Sequence, residues 1–268
     1  MVDQVTCMDN WQDIIDVQRH PIDDINSYAV RCRSELQKNS ILILNNFLTS
    51  DALVKLQREA RSLHDKAFYC SRNHNVLLVE KNIHLDDNHP CNIEVISDKG
   101  CIPHDLIPHD SYLKKIYTSG IFQNFIQSVL SIEKIYPYAD PLSSINYNYY
   151  QEKQQLGWHF DNASFALSLM IQSPTSGGKF QFVVDARHVE KNTVNIPLID
   201  SVLQNKYPVE ELQVEEGTLV LFYGRNYLHR VTPVTSKKPR VLATLNYNLE
   251  KNLELSENAR LTFFGRLR

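Results

Sequence analysis

The sequence predicts a mainly β domain, a sandwich or barrel with helices added around it. Three observations carry this. Segments 144–150, 165–172, 179–184, 217–222, 227–231 and 241–248 are short and either apolar or alternating. Turn signals separate them: Gly177-Gly178, Pro197, Pro208, Gly224-Arg225-Asn226 and Pro239. Short strands punctuated this often indicate a sandwich or barrel. The first 130 residues, by contrast, carry apolar positions at helical spacing.

Within that first part, Pro21 opens a predicted helix over 22–38, with Ile25, Tyr28, Ala29, Cys32 and Leu36 on one face. ILILNNF from Ile41 reads as a strand. Ser50 is the expected cap of a helix over 51–67, with Leu53, Leu56, Ala60 and Leu63 along one side. Residues 70–110 are rich in Asn, His, Asp and Pro and read as irregular, a candidate lid. One further helix is expected over 111–130.

The chain has 268 residues, of which 43% are hydrophobic and 22% charged. That suits one domain with a sizeable core, divided into a helix-rich part (1–135), a β core (136–250) and a C-terminal extension (251–268). No repeat or linker interrupts it. A net charge of −3, with basic residues clustered only at Lys237, Lys238 and Arg240, argues against nucleic acid as a partner. The acidic N-terminus, MVDQVTCMDNWQDIID, has no apolar run, so no signal peptide is expected. No stretch reaches the ~20 apolar residues that span a bilayer. Cys7, Cys32, Cys70, Cys91 and Cys101 are scattered, with no CxxC pair. That predicts reduced thiols in a cytoplasmic protein rather than a disulfide framework or thiolate zinc site.

The chemistry concentrates in Gly157-Trp158-His159-Phe160-Asp161. On a strand, residues i and i+2 share a face, so His159 and Asp161 project together and Phe160 turns away. His229, in the β run YLHRVTPV after GTLVLFYG, is the candidate third ligand. Two imidazoles and one carboxylate on one face of a metal leave three positions open, as in non-haem iron(II) oxygenases. Those positions take a bidentate co-substrate and dioxygen. The far carboxylate of 2-oxoglutarate needs a cation, and Arg240, at the start of VLATLNYN, supplies a guanidinium fork. Asn148 and Tyr150 alternate on the strand before His159 and are expected to point at the co-substrate. His84, His89, His104 and His109 lie in polar, irregular sequence and are expected at the surface or behind the ligands. Other enzyme classes fit less well. There is no HExxH helix, no GxSxG elbow and no Gly-rich phosphate loop in a chain with eight glycines.

The run Gly157 to Asn162, with Ser164-Phe165, Gly177-Gly178 and Phe180, resembles the 2-oxoglutarate/iron(II) oxygenase superfamily. FYGRNYLHRVTPV, Arg240, Leu255-Ser256-Glu257-Asn258-Ala259-Arg260 and Phe264-Gly265-Arg266 are similar to its branch of free-amino-acid hydroxylases and related halogenases. The resemblance covers about residues 140–268 and is looser before them. It implies a double-stranded β-helix (jelly-roll) core. It also implies oxidation of an unactivated C–H bond, with decarboxylation of 2-oxoglutarate to succinate. His159, Asp161 and His229 match the metal ligands, and Arg240 matches the carboxylate anchor. Halogenases of the branch have a small residue where this chain has Asp161, so hydroxylation is expected. Relatives often place a glycine in the turn where Lys153 stands.

The expected substrate is a small polar metabolite, an amino acid or derivative, with Arg72, Asn73, Asn162, Asn246 and Arg260 as candidate contacts. The alternatives are a protein side chain, a natural-product scaffold, or a non-catalytic jelly-roll binding module. A homodimer is compatible with the class.

Overall fold

The computed structural model describes residues 11–268, so Cys7 and the first ten residues of the acidic N-terminus lie outside the description. The helix-rich part comprises α1 (Tyr28–Asn39), β1 (Ile41–Leu44), α2 (Ser50–Leu63), β2 (Phe68–His74), β3 (Val95–Ile102), α3 (Tyr112–Thr118) and α4 (Gly120–Leu130); β4 (Tyr136–Pro137) opens the β core. That core continues with β5 (Ile145–Tyr150), β6 (Leu156–His159), β7 (Ala166–Gln172), β8 (Phe180–Val183), β9 (Arg187–His188) and β10 (Thr193–Val194). After α5 (Ile196–Leu203) come β11 (Glu210–Leu212), β12 (Leu219–Phe222), β13 (Leu228–Val231), β14 (Arg240–Leu245) and β15 (Tyr247–Asn248). Helix α6 (Glu257–Phe264) closes the chain.

Two antiparallel sheets dominate. The larger runs β1-β12-β7-β14-β5-β3-β2, and the smaller β11-β8-β13-β6. Period-two alternation assigns the two faces of the larger sheet. Tyr147, Tyr149, Leu167, Leu169, Leu219 and Leu221 join one core with the helices. The intervening residues, Asn146, Asn148, Tyr150, Arg240, Leu242 and Thr244, therefore face the smaller sheet. Ile41, Val220 and Phe222 do the same and pack against Phe180, Phe182 and Val231 of the smaller sheet. The buried Tyr147 and Tyr149 hydroxyls donate to Glu59 and to the Ala60 carbonyl, both at 2.7 Å. Each bond avoids a buried orphan worth roughly 1–3 kcal/mol.

Several boundaries differ from expectation. Helix α1 begins at Tyr28, because residues 20–27 fold into tight turns in which the Asp24 carboxylate takes the Ser27 N–H at 2.9 Å. Ile25 is consequently exposed. Thr49, not Ser50, caps α2, its Oγ1 accepting from Ala52 N at 3.2 Å, and the helix ends at Leu63 before a single 3-10 turn. The helix expected over 111–130 is two, because Ser119 adopts an extended conformation and caps α4 ahead of Gly120. Pro197 sits in the first turn of α5 instead of in a loop.

The largest correction concerns 70–110. Strands β2 and β3 pair over seven residues, from Phe68↔Cys101 to His74↔Val95. Strand β2 is a sheet edge, exposed or half-buried on both faces, and its order Phe-Tyr-Cys-Ser-Arg-Asn-His carries no hydrophobic alternation to betray it. Residues 75–94 remain irregular, as do 103–110 apart from one 3-10 turn at His104–Leu106. Cys32, Cys70, Cys91 and Cys101 are all free thiols. Among the described residues no helix is long and apolar enough to cross a membrane.

Candidate active site

Strands β6 and β13 pair antiparallel with His159 directly opposite His229. Their rings lie 4.2 Å apart between centroids. Asp161 lies just past the end of β6. Its N–H donates to the Gly224 carbonyl at 2.9 Å, which folds the chain back over the β12–β13 connection. Asp161 Oδ1 is thereby 3.4 Å from His159 Nε2 and 3.6 Å from His229 Nε2. Phe160 turns to the other side and joins Trp158 and Val76 behind the sheet.

Each imidazole is oriented by its own strand. Nδ1 of His159 donates to the Gly157 carbonyl and Nδ1 of His229 to the Tyr227 carbonyl, both at 2.8 Å. A carbonyl only accepts, so both protons sit on Nδ1 and both Nε2 lone pairs face Asp161. Burial, and then His229, push the His159 pKa down, which favours the neutral ring. Burial alone would raise the Asp161 carboxyl; a proton on either facing imidazole, His229 foremost, overcomes it and holds Asp161 well below the usual carboxylate range, so Asp161 is the carboxylate. Three electron-pair donors thus converge within 4.8 Å of one another. Without a cation between them they repel. The donor set fits a divalent metal bound on one face.

Across the sandwich, Arg240 opens β14 opposite Tyr150 and is 3% exposed. Its guanidinium stands 5.3 Å from the Tyr150 ring centroid, and burial lowers its pKa. Among the described residues, its Nε and Nη1 have no hydrogen-bond partner. A buried, unpaired guanidinium costs several kcal/mol. A carboxylate is the group that offsets this, so the residue fits the far end of 2-oxoglutarate. Gly178 passes so close that an added β-carbon would lie 3.2 Å from Arg240 Cδ.

Asn148 and Tyr150 share the inner face with Arg240. Asn148 Oδ1 accepts from Lys99 Nζ at 2.6 Å. The remaining expected contacts scatter. Arg72 lies on the same side of the β2–β3 ribbon as Lys99 and His74, whereas Asn73, its strand neighbour, faces the opposite way. Asn162 is exposed beside the ligand loop, its carbonyl accepting from Arg225 Nε at 3.0 Å. Asn246 is committed to Ser143 O (2.7 Å) and Asn146 Oδ1 (3.0 Å). Arg260 pairs with Glu254 at 3.1 Å in the C-terminal extension. His84 and His109 are exposed, His89 is half-buried, and His104 is half-buried near Tyr117.

Sequence reasoning missed His74, Ser97, Lys99 and Gly224. Strand alternation through Ser97, Lys99 and Cys101 was the available signal for two of them. Lys153 has φ +72°, the left-handed conformation that a glycine adopts most easily.

The fold is that of solved oxygenases. An oxidoreductase of the 2OG-Fe(II) oxygenase family from Burkholderia pseudomallei superposes with TM-score 0.54 at 11% identity, over 85% of this chain and 94% of that one. A Trichoplax adhaerens prolyl hydroxylase, in complex with a hypoxia inducible factor oxygen degradation domain peptide fragment, gives 0.56 at 16% identity, over 88% and 94%. The epimerase SnoN in complex with Fe3+, alpha ketoglutarate and nogalamycin RO gives 0.53 at 10%, over 82% and 83%. No curated protein sequence matches the chain.

Seated in a double-stranded β-helix, this donor set and its facing arginine define an iron(II)- and 2-oxoglutarate-dependent oxygenase, an enzyme that uses dioxygen as oxidant. The sequence model described as Halogenase D matches residues 25–262, most of the chain. The chain belongs to that family.

Proposed function

We propose that this protein hydroxylates an unactivated C–H bond of a small polar metabolite, a free amino acid or a derivative of one. The observation that carries hydroxylation over halogenation is the Asp161 carboxylate lying between the two imidazoles. A halide would need the coordination position that this carboxylate takes.

In this reading His159, Asp161 and His229 hold iron(II), and Arg240, flanked by Tyr150 and Asn148, receives the far carboxylate of 2-oxoglutarate. With 2-oxoglutarate and dioxygen, the bound iron supplies the oxidising chemistry that cleaves the C–H bond and leaves succinate and CO2. The protein's own part is orientation and exclusion. The strand carbonyls fix both imidazoles, and Phe180, Phe222 and Val231 line the inter-sheet space and keep it dry. Arg72, on the ribbon face shared with His74, is the proposed partner for a substrate carboxylate, and Asn162 a polar contact at the rim. The free thiols fit a reducing, cytoplasmic setting.

The test is succinate formation from 2-oxoglutarate with iron(II) and ascorbate, run with an amino-acid panel in the presence of chloride. The expected result is stimulation by one compound, whose product gains an oxygen atom. A chlorinated product would overturn the hydroxylase assignment. Stimulation by a peptide or a polyketide scaffold alone would overturn the substrate class. No turnover with any addition would favour a binding module.

A further inference from the structure

The β2–β3 ribbon reaches the metal site through one hydrogen-bonded path. His74 Nδ1 donates to the Asn75 carbonyl at 2.9 Å, so its Nε2 is an acceptor. Ser97 Oγ lies 2.5 Å from that Nε2. The hydroxyl therefore donates to His74, which leaves its lone pairs free, and one takes the Gly157 N–H at 2.9 Å. The Gly157 carbonyl in turn accepts from His159 Nδ1 at 2.8 Å. The His74 ring stands edge-on to the His159 ring, 6.1 Å between centroids. Both His74 nitrogens are engaged, so His74 is not a fourth ligand.

We propose that Ser97, backed by His74, is a positioning residue for the ligand imidazole of His159. This rests on the metal reading above. Gly157 is the residue with the greatest backbone freedom in β6. It must nonetheless be glycine, because a β-carbon there would meet Ile96 O and Val95 Cγ2, both at 2.7 Å. Close approach of β6 to β3 thus puts the softest link of the strand directly under the carbonyl that aims His159. The backbone hydrogen bonds of β6 to β13 are irregular here, with a register shift between His229 and Val231. Ser97 supplies the missing restraint from the other side. The Asp98–Gln155 bridge, with bonds at 2.9 and 2.8 Å, sets the height of β3 against β6 but leaves Gly157 itself to Ser97. Transmission is geometric: Ser97 fixes where Gly157 is, and Gly157 fixes how the imidazole points.

Partners that orient metal-bound histidines are worth about 10–100-fold in metal affinity. The test titrates metal-free wild type, Ser97→Ala, Ser97→Thr and His74→Phe with Mn(II) by electron paramagnetic resonance, with folding checked by circular dichroism. Ser97→Ala is expected to weaken Mn(II) binding at least about 10-fold, and Ser97→Thr, which keeps Oγ, to restore it. His74→Phe keeps the ring volume, removes the acceptor and weakens binding in the same direction. In Ser97→Ala, 15N shifts of the His159 ring should show loss of the single Nδ1–H tautomer. Wild-type affinity and tautomer in a folded Ser97→Ala would overturn the proposal. If Ser97→Ala does not fold, unchanged affinity in His74→Phe overturns it. Failure of the wild type to bind Mn(II) would instead overturn the metal reading, and this inference with it.

Discussion

Gly224 and Asp161 share one corner of the site. The Asp161 N–H donates to the Gly224 carbonyl at 2.9 Å, and a β-carbon on Gly224 would collide with Asp161 Oδ2. The φ of Gly224 is not in the left-handed region, so the glycine is required by space and not by backbone conformation. Gly224→Ala should displace the carboxylate and weaken divalent-metal binding about 10-fold or more, equivalent to about 1.4 kcal/mol. In an Asp161→Gly background, which itself should abolish hydroxylation, the same change has nothing to displace. A double-mutant cycle read by metal affinity checks this, with strong coupling expected. Additive effects would show that Gly224 does not make room for the ligand.

Arg240 should act on the co-substrate and not on the metal. Truncating one partner of a buried charge pair costs about 2 kcal/mol or more. Arg240→Ala should therefore raise the 2-oxoglutarate concentration for half-maximal turnover by about 30-fold or more. Metal affinity, measured in the absence of 2-oxoglutarate, should hold. Lysine should rescue incompletely, since a point charge cannot reproduce the guanidinium fork. An unchanged 2-oxoglutarate requirement would place the anchor elsewhere.

Lys153 holds φ +72° while its N–H donates to the Val234 carbonyl at 2.7 Å. A side chain in that conformation carries about 1–2 kcal/mol of strain, part of which glycine returns as entropy of the unfolded chain. Lys153→Gly should raise stability by up to about 1 kcal/mol, seen as a higher Tm with unaltered turnover. A lower Tm would mean the side chain contributes contacts that outweigh the strain.

His104 sets one acid limb of stability. Burial, then Lys114, pushes its pKa from 6.5 down to about 4, and its buried Nδ1 has no partner among the described residues. The folded state thus binds its proton later than the unfolded chain does. The stability contribution is complete above pH 6.5 and lost as pH falls toward 4. His104→Phe should flatten the decline of the urea midpoint between pH 7 and pH 4.5 relative to wild type. Parallel profiles would remove His104 as the cause.

What the sequence determined by itself is the β core and the candidate site residues it carries. His159 and Asp161 are two residues apart, His229 sits in an apolar run, and Arg240 begins another. Strand periodicity is local, so each of these faces was legible before any contact was known. Tertiary structure decided the rest. The β2–β3 ribbon ends in the exposed edge strand β2 and lies in a stretch rich in Asn, His, Asp and Pro, so composition made it look like a loop. Its residues matter only through partners about sixty positions away, as Ser97 does at Gly157. Gly224 matters only because Asp161 returns over it. Asn73 and Arg72 look equivalent in sequence, yet the pleat sends them to opposite faces. Local patterning fixes which side of a strand a residue occupies. Only the packing of one strand on another fixes what it meets there.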